Sequence, residues 1–343
     1  MKTTATQGEE VMKTPTSFWR NLLNGSEGRL SKMLRESGIL GALIILVVVG
    51  AIISPHFLKS GNLINVIRQI AIAGILGIGM TFVILTAGID LSIGSIVGFV
   101  AVVSASMLRA GIPWPVAMLT GLACGAFIGA INGFGITKGN LQPFIMTLGM
   151  LVIVRGSTMT YSEGQPISIG PAAAEQFGWL GAGSFLGLPV PVWILLTVAG
   201  LAGIVLTYTP FGRYIYAVGD NIEAARLSGI NTDLVIFGAY VISGLMAALS
   251  ALILVSRLTT GEPLLGVSYE LDAIAIVVIG GTSLFGGEGG VRGTLIGAAI
   301  VAVLANLLNL VGVSPFSQQI VKGLIIIGSV LLERRKAALM ERR

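Results

Sequence analysis

The most polar internal segment of this chain is Arg213–Asp233, reading RYIYAVGDNIEAARLSGINTD, and it lies between two long apolar runs. Within it Glu223, Ala224 and Ala225 are followed by Gly229 four residues on. Glu223 through Leu227 are good helix formers, and Gly229 suits the residue just past a helix end, where the backbone turns left-handed. A short helix closed by glycine and held at a membrane surface by flanking spans can plug a membrane subunit into a soluble motor. Glu223, Ala224, Ala225, Arg226, Leu227, Ser228 and Gly229 are therefore the candidate coupling site. On these residues alone, a plain surface loop with one helical turn is an equal alternative.

Catalytic chemistry has little to work with. The chain has no GxSxG elbow, no HExxH pair and no GxxxxGK[ST] phosphate loop; GITKGN at Gly135–Asn140 has the wrong spacing and order. The single histidine, His56, leaves none for a triad, and the single cysteine, Cys124, can form neither a disulfide framework nor a CxxC pair. Neither residue makes a metal site, and no cofactor motif is present. The expectation is a non-enzyme that cannot bind and hydrolyse ATP by itself.

Side chains within or beside the apolar runs suggest a different task. Asn62, Asn65 and Gln69 cluster near the start of one run, and Asn132, Asn306, Asn309, Gln318 and Gln319 fall in or beside others. Amides and hydroxyls offer both donors and acceptors, which suits a path for a neutral polyhydroxylated solute. Hydrogen bonding between helices is the competing use of the same residues. Asp90, in GIDLSIGS, has two readings as well: capping of the helix that follows, or a direct functional role. The candidate path is Asn65, Gln69, Asp90, Asn132, Asn306 and Asn309. Arg68, Arg155 and Lys322 sit near run interiors, within reach of an interface by snorkelling. Acids are scarce in the runs, which argues against gradient coupling and for energy supplied from outside.

The elements that must position these residues are membrane spans. Hydrophobic residues make up 54% of the 343, charged residues only 11%, and 48 are glycine; mean hydropathy is +0.91. A soluble domain carries about 25% charged residues. Runs suited to spanning number about ten: 38–54, 66–87, 92–108, 114–136, 143–160, 190–208, 233–256, 271–285, 293–311 and 316–332. The fold class is thus an all-α polytopic integral membrane protein. Residues 1–37 form a polar cytoplasmic N-terminal tail, 38–335 the transmembrane domain with the coupling loop 212–232, and 336–343 a basic C-terminal tail.

Lysine and arginine set the orientation. Lys2, Lys13, Arg20, Arg29, Lys32 and Arg35 precede the first run, and Arg334, Arg335, Lys336, Arg342 and Arg343 follow the last. Both ends belong in the cytoplasm, so the span number is even. The Arg213–Asp233 loop then falls inside, with Lys138 and Arg292. Tyr161–Pro189, with no lysine or arginine, falls outside. The net charge of +5 is topogenic and gives no footprint for nucleic acid. The length of the tail and its acids Glu9, Glu10, Glu27 and Glu36 argue against a cleavable signal peptide, while Phe18, Trp19, Leu22 and Leu23 suit a short interfacial helix, with a disordered tail the equal alternative.

Two glycine-rich turns share the spacing G-x-x-L-x-x-G, at Gly88/Leu91/Gly94 and Gly281/Leu284/Gly287. A distant internal duplication and chance are both open readings. Four blocks in order resemble one family: MTFVILTAGIDLSIGS (Met80–Ser95), GRYIYAVGDNIEAARLSGIN (Gly212–Asn231), YELDAIAIVVIGGTSLFGGEGGVRGTLIGA (Tyr269–Ala298) and LNLVGVSPFSQQIVKG (Leu308–Gly323). The chain resembles the ribose-type permeases, membrane subunits of bacterial ABC sugar importers, from about residue 38 to 335.

The resemblance implies a subunit that pairs with a second permease subunit around a central pathway in the inner membrane, surrounded by lipid. It implies a cytoplasmic ABC ATPase, often a tandem one, and a periplasmic sugar-binding protein, with Glu223–Gly229 as the coupling helix. The I-x-LP that continues this motif in other importers is missing after Gly229. Glu223→Pro is expected to abolish uptake while sparing insertion. The alternative class is a stand-alone secondary transporter or facilitator of a small neutral solute.

Overall fold

The computed structural model describes residues 38–340. The N-terminal tail, with the expected interfacial helix at Phe18–Leu23, and residues 341–343 lie outside the described residues. Helices dominate: α1 (Gly38–Ile53), α2 (Ser60–Leu85), α3 (Ile93–Arg109), α4 (Trp114–Thr137), α5 (Pro143–Ser162), α6 (Pro171–Phe177), α7 (Trp179–Ala182), α8 (Val190–Tyr208), α9 (Pro210–Asp220), α10 (Ile222–Leu227), α11 (Thr232–Leu258), α12 (Tyr269–Ile279), α13 (Val291–Leu310) and α14 (Pro315–Met340). Proline opens α5 and α9 and stands at the second position of α4 and α8, where its missing N–H costs nothing.

Six of these helices, α2, α4, α5, α8, α11 and α13, are long and apolar enough to cross a membrane, and α1 and α3 are shorter apolar helices. The chain is a multi-pass membrane protein. Its centre is α11, packed on α4, α2 and α3. The contact with α4 is close because Gly121, Gly125, Gly129 and Gly133 recur every fourth residue on one face of α4. They lie against Leu252, Gly244, Tyr240 and Phe237 of α11, and a Cβ at Gly129 would strike the Tyr240 carbonyl. Small residues at this spacing let two backbones meet in lipid.

Two β ladders of two residues per strand lie among the helices. β1 (Ile167–Ser168) pairs antiparallel with β4 (Thr260–Gly261), and β2 (Ser184–Phe185) with β3 (Leu188–Pro189). The first ladder joins the α5–α6 loop to the end of α11. Ser256 strengthens this union: its Oγ accepts from Gly181 N–H at 2.8 Å and donates to the Phe177 carbonyl.

The expected span at 271–285 is not a continuous helix. α12 covers only Tyr269–Ile279, 11 residues and about 16 Å long. Beyond it Gly281, Gly286, Gly287, Gly289 and Gly290 all take positive φ, a backbone that cannot continue a helix. On the other side, residues 262–268 run back along α3: Gly261 rests on Ala101, and Gly266 on Gly94. From Ala101 to Gly94 is about 10 Å along the helix axis. This loop lies along the N-terminal half of α3, from its midpoint at Ala101 to its first turn at Gly94, and α12 follows it. At the other end of the chain, residues 336–340, expected as a tail, continue α14.

Candidate coupling site and polar lining

Sequence-local bonds define the candidate coupling segment. Thr209 caps α9, its Oγ1 accepting from Gly212 N–H at 3.2 Å. α9 buries Gly212, Ile215, Val218 and Gly219. Asn221 then breaks the helix with extended φ −157° and ψ 105°, and caps α10 by accepting from Ala224 N–H at 2.9 Å. The end of α10 is a Schellman motif: Gly229 N–H donates to the Arg226 carbonyl at 3.0 Å, and Ile230 N–H to the Ala225 carbonyl at 3.1 Å. Gly229 has φ +82°, the left-handed value that the motif needs. Asn231 immediately caps α11 through Leu234 N–H.

Of the residues of α10, only Ala225 is buried, and Leu227 is 89% exposed. Leu227 is thus an exposed leucine in the last turn of a doubly capped helix. Glu223 and Arg226 pair at 3.1 Å, but both are exposed, so the pair adds little. The geometry also changes the expectation for Glu223→Pro. Glu223 is the second residue of α10, in the first turn, where a proline removes an N–H that the helix does not use. Ala225, whose N–H donates to the Asn221 carbonyl at 2.9 Å, is where proline would break it.

The α2–α3 and α12–α13 turns gather around α9. Gly287 N–H donates to the Leu85 carbonyl at 3.1 Å. Tyr216 Oη donates to the Gly289 carbonyl at 3.0 Å, and burial pushes its phenol pKa up, which keeps it a donor. On a neighbouring inter-helix connection, Lys138 Nζ reaches Asp233 at 2.8 Å, an exposed pair. The segments expected on the inner side thus meet at one end of the molecule.

The candidate path residues fall into separate groups. Asn65 is exposed and Gln69 half-buried, one turn apart on α2. Asn306 is buried and bonded reciprocally with Asn62 on α2: Asn62 Nδ2 donates to Asn306 Oδ1 at 3.0 Å and Asn306 Nδ2 to Asn62 Oδ1 at 2.8 Å. Asn309 accepts from Gln318 Nε2 at 2.8 Å and so ties α13 to α14.

Asp90 and Asn132 are fully buried together. Asp90 Oδ1 accepts from Ser92 N–H at 2.9 Å and Ser92 Oγ at 2.6 Å; Oδ2 accepts from Ser243 Oγ on α11 at 2.7 Å. Asn132 Nδ2 donates to Ser92 Oγ at 2.8 Å, which leaves Asn132 Oδ1 without a partner. Asp90 therefore does both structural jobs at once, bracing the turn before α3 and bridging to α11. Tyr240 adds a second bridge to the same turn, through its Oη and the Ile89 carbonyl at 3.2 Å.

Of the three basic residues read as snorkelling side chains, Arg155 and Lys322 are tied to other elements of the bundle instead, while Arg68 makes an exposed bond. Arg155 Nη1 donates to the Pro263 and Leu265 carbonyls at 2.7 and 3.2 Å, and Nη2 to the Gly94 carbonyl at 3.2 Å. Lys322 Nζ lies 2.7 Å from Asp272 Oδ1 and 2.9 Å from Oδ2. Arg68 donates to the Ala182 carbonyl at 3.0 Å. Sequence reasoning missed Ser243, Tyr216 and the Leu85–Gly287 contact. The paired G-x-x-L-x-x-G spacing marked both turns but gave no sign that they touch.

Comparison with known proteins agrees with this architecture. The family model described as branched-chain amino acid transport system / permease component matches residues 62–330. The ribose import permease protein RbsC of Escherichia coli (strain K12) is 46% identical over 304 residues, 88% of this chain and 95% of that protein. Its Bacillus subtilis (strain 168) counterpart is 46% identical over 306 residues, 89% of this chain and 95% of that one. The D-allose transport system permease protein AlsC of Escherichia coli (strain K12) is 37% identical over 292 residues, 85% and 89% of the two chains. No solved structure matches. With a family model covering most of its length and relatives this similar from end to end, the chain belongs to the branched-chain amino acid transport system / permease component family.

Proposed function

We propose that this chain is the permease subunit of an ATP-binding-cassette importer that carries ribose across the bacterial inner membrane. One observation carries the reading: near full-length identity of 46% to ribose import permeases of two distant bacteria, against 37% to a D-allose permease. A separate ATPase supplies the energy and a periplasmic binding protein delivers the sugar. The chain pairs with a second permease subunit around the pathway. Residues 1–37 form the cytoplasmic tail, 38–335 the permease domain with its loop at 212–232, and 336–343 the basic end.

Ten crossings with both ends in the cytoplasm fit the helices, provided that the loop of residues 262–268 and the short α12 together count as one crossing. The clustering of the Lys138, Arg213–Asp233 and Gly281–Arg292 connections at one end supports the same orientation. α10 docks in a cleft of the ATPase through Leu227 and Glu223. Asn65 and Gln69 line the outer part of the path, whereas Asp90, Asn132, Asn306 and Asn309 hold its walls in register. Closure of the ATPase on nucleotide favours one arrangement of the spans over the other, and that differential affinity drives the cycle.

The test is uptake of radiolabelled ribose into proteoliposomes holding this chain and its ATPase, with ATP inside and ribose-loaded binding protein outside. ATP-dependent accumulation, competed by ribose and not by allose, is the expected result. Ribose flux through the chain alone without ATP, or accumulation of another solute in place of ribose, would overturn it.

A further inference from the structure

Three segments far apart in sequence meet backbone to backbone just before the coupling helix. The Leu85 carbonyl, at the end of α2, accepts from Gly287 N–H at 3.1 Å. Gly219, in the last turn of α9, faces that same carbonyl so closely that a Cβ would run into it, and would also lie 2.5 Å from Gly287 N. Gly286 closes the contact from the other side: its Cβ would stand 2.7 Å from the Gly219 carbonyl and 3.0 Å from Ala87 N. Gly286 and Gly287 have φ +88° and +71°, so the turn itself demands glycine. One turn back along α9, Tyr216 holds the Gly289 carbonyl.

Most contacts in a bundle run through side chains that can change rotamer when helices shift. Here the touching atoms are backbone, fixed by covalent geometry and one hydrogen bond. Packed contacts of this kind transmit displacement instead of absorbing it. The α2–α3 turn is also held on its far side, because Ser243 and Tyr240 of α11 bond Asp90 and the Ile89 carbonyl. The two helices flanking α10, namely α9 and α11, thus both grip the turn that leads into α3, and α9 grips the turn that leaves α12.

Resting on the reading of α10 as the coupling helix, we propose that Gly219 and Gly287 are positioning residues. They form a joint that carries the motion of α9–α10 as one rigid body into the α2–α3 and α12–α13 turns, and so to the short helices α3 and α12. A larger residue at 219 wedges the joint apart without altering α10, its caps or any residue of the proposed path.

The test uses the complex of this chain with its ATPase in proteoliposomes, with ribose-loaded binding protein added. For Gly219→Ala the complex assembles, but ribose transported per ATP hydrolysed falls at least tenfold, and ATP turnover no longer rises with the binding protein. A purely structural defect would lower the amount of complex and leave ribose per ATP unchanged, which would overturn the proposal. A second variant does not depend on wedging. Tyr216→Phe keeps the ring and removes only the bond from Oη to the Gly289 carbonyl, so the variant should fold and assemble as wild type does. Ribose transported per ATP hydrolysed is expected to fall roughly two- to tenfold, the size of one lost hydrogen bond. A ratio equal to that of the wild type would show that α9 does not drive the α12–α13 turn and would overturn the joint. Failure of the wild-type complex to couple ATP to ribose would instead defeat the functional reading itself.

Discussion

Arg155 offers the sharpest test of how the α11–α12 loop is held against α3. Its guanidinium bonds three carbonyls on two elements, Pro263 and Leu265 in the loop and Gly94 in the first turn of α3. Hydrogen bonds from a charged group contribute about 1.5–3 kcal/mol each, so three give a gross figure of roughly 5–9 kcal/mol. Removing the group also releases its desolvation penalty, which for a fully buried ion amounts to several kcal/mol and for half-buried Arg155 to part of that. Arg155→Met keeps the apolar stem and removes only the fork. A net loss of about 2–3 kcal/mol is expected, equivalent to a Tm drop of roughly 4–12 °C on the scale of large soluble domains. The lone Cys124 on α4, half-buried, supplies the assay, because a thiol-reactive fluorogenic dye labels it as the bundle opens in detergent. Arg155→Lys, which cannot present a planar fork, should fall between the two. A methionine variant that melts within about a degree of wild type would refute the reasoning. The loop would then be held by the close Gly94–Gly266 and Gly261–Ala101 contacts alone.

Three further outcomes are expected. Ala225→Pro removes the bond from Ala225 N–H to the Asn221 carbonyl and should unravel α10 at a cost of about 3 kcal/mol to that helix; ribose uptake at equal membrane abundance should fall at least tenfold, while the dye-detected Tm stays put. Leu227→Asp changes an exposed side chain, so stability should move by no more than about 0.5 kcal/mol, yet the ATPase should no longer co-purify. For the reciprocal Asn62–Asn306 pair, each single leucine substitution should cost about 1–2 kcal/mol and the double less than the sum, with a coupling near 1 kcal/mol from melting of the four proteins.

What the sequence revealed and what it hid divide along physical lines. Apolar runs and a glycine-closed helix are local: Gly229 acts on Arg226 three residues back, so the end of α10 could be read, whereas the caps Asn221 and Asn231, equally local, went unread. The eighth run misled because apolarity was counted through Ile279 into a glycine series whose positive φ values only the folded turn reveals. Asp90 could be read as a turn residue from its place before α3. Its partner Ser243 lies 153 positions away, and a serine inside an apolar helix carries no sign of what it bonds. Arg155 and Lys322 were misjudged for a related reason. Snorkelling is the cheaper fate for an isolated basic residue, and only the returning loop and Asp272 supply what makes staying inside cheaper.

Those buried charges bear on how the protein is powered. A transporter driven by an ion gradient needs an ionisable group in its interior that is free to change partner or proton as the cycle turns. Asp90 accepts three hydrogen bonds across two elements, Arg155 is divided among three carbonyls, and Asp272 and Lys322 hold each other within 2.9 Å. Each is committed to bracing a place where helical backbone has been given up: the turn before α3, the α11–α12 loop, and the start of the short α12. Irregular backbone at that depth survives only when protein groups satisfy its carbonyls and amides. Releasing any of these charges to carry a proton would therefore unfasten a broken segment at the same moment. Charges used as fasteners are poorly placed to carry protons, which agrees with energy that enters elsewhere, and α10, capped at both ends with Leu227 exposed, is the entrance that our proposal assigns.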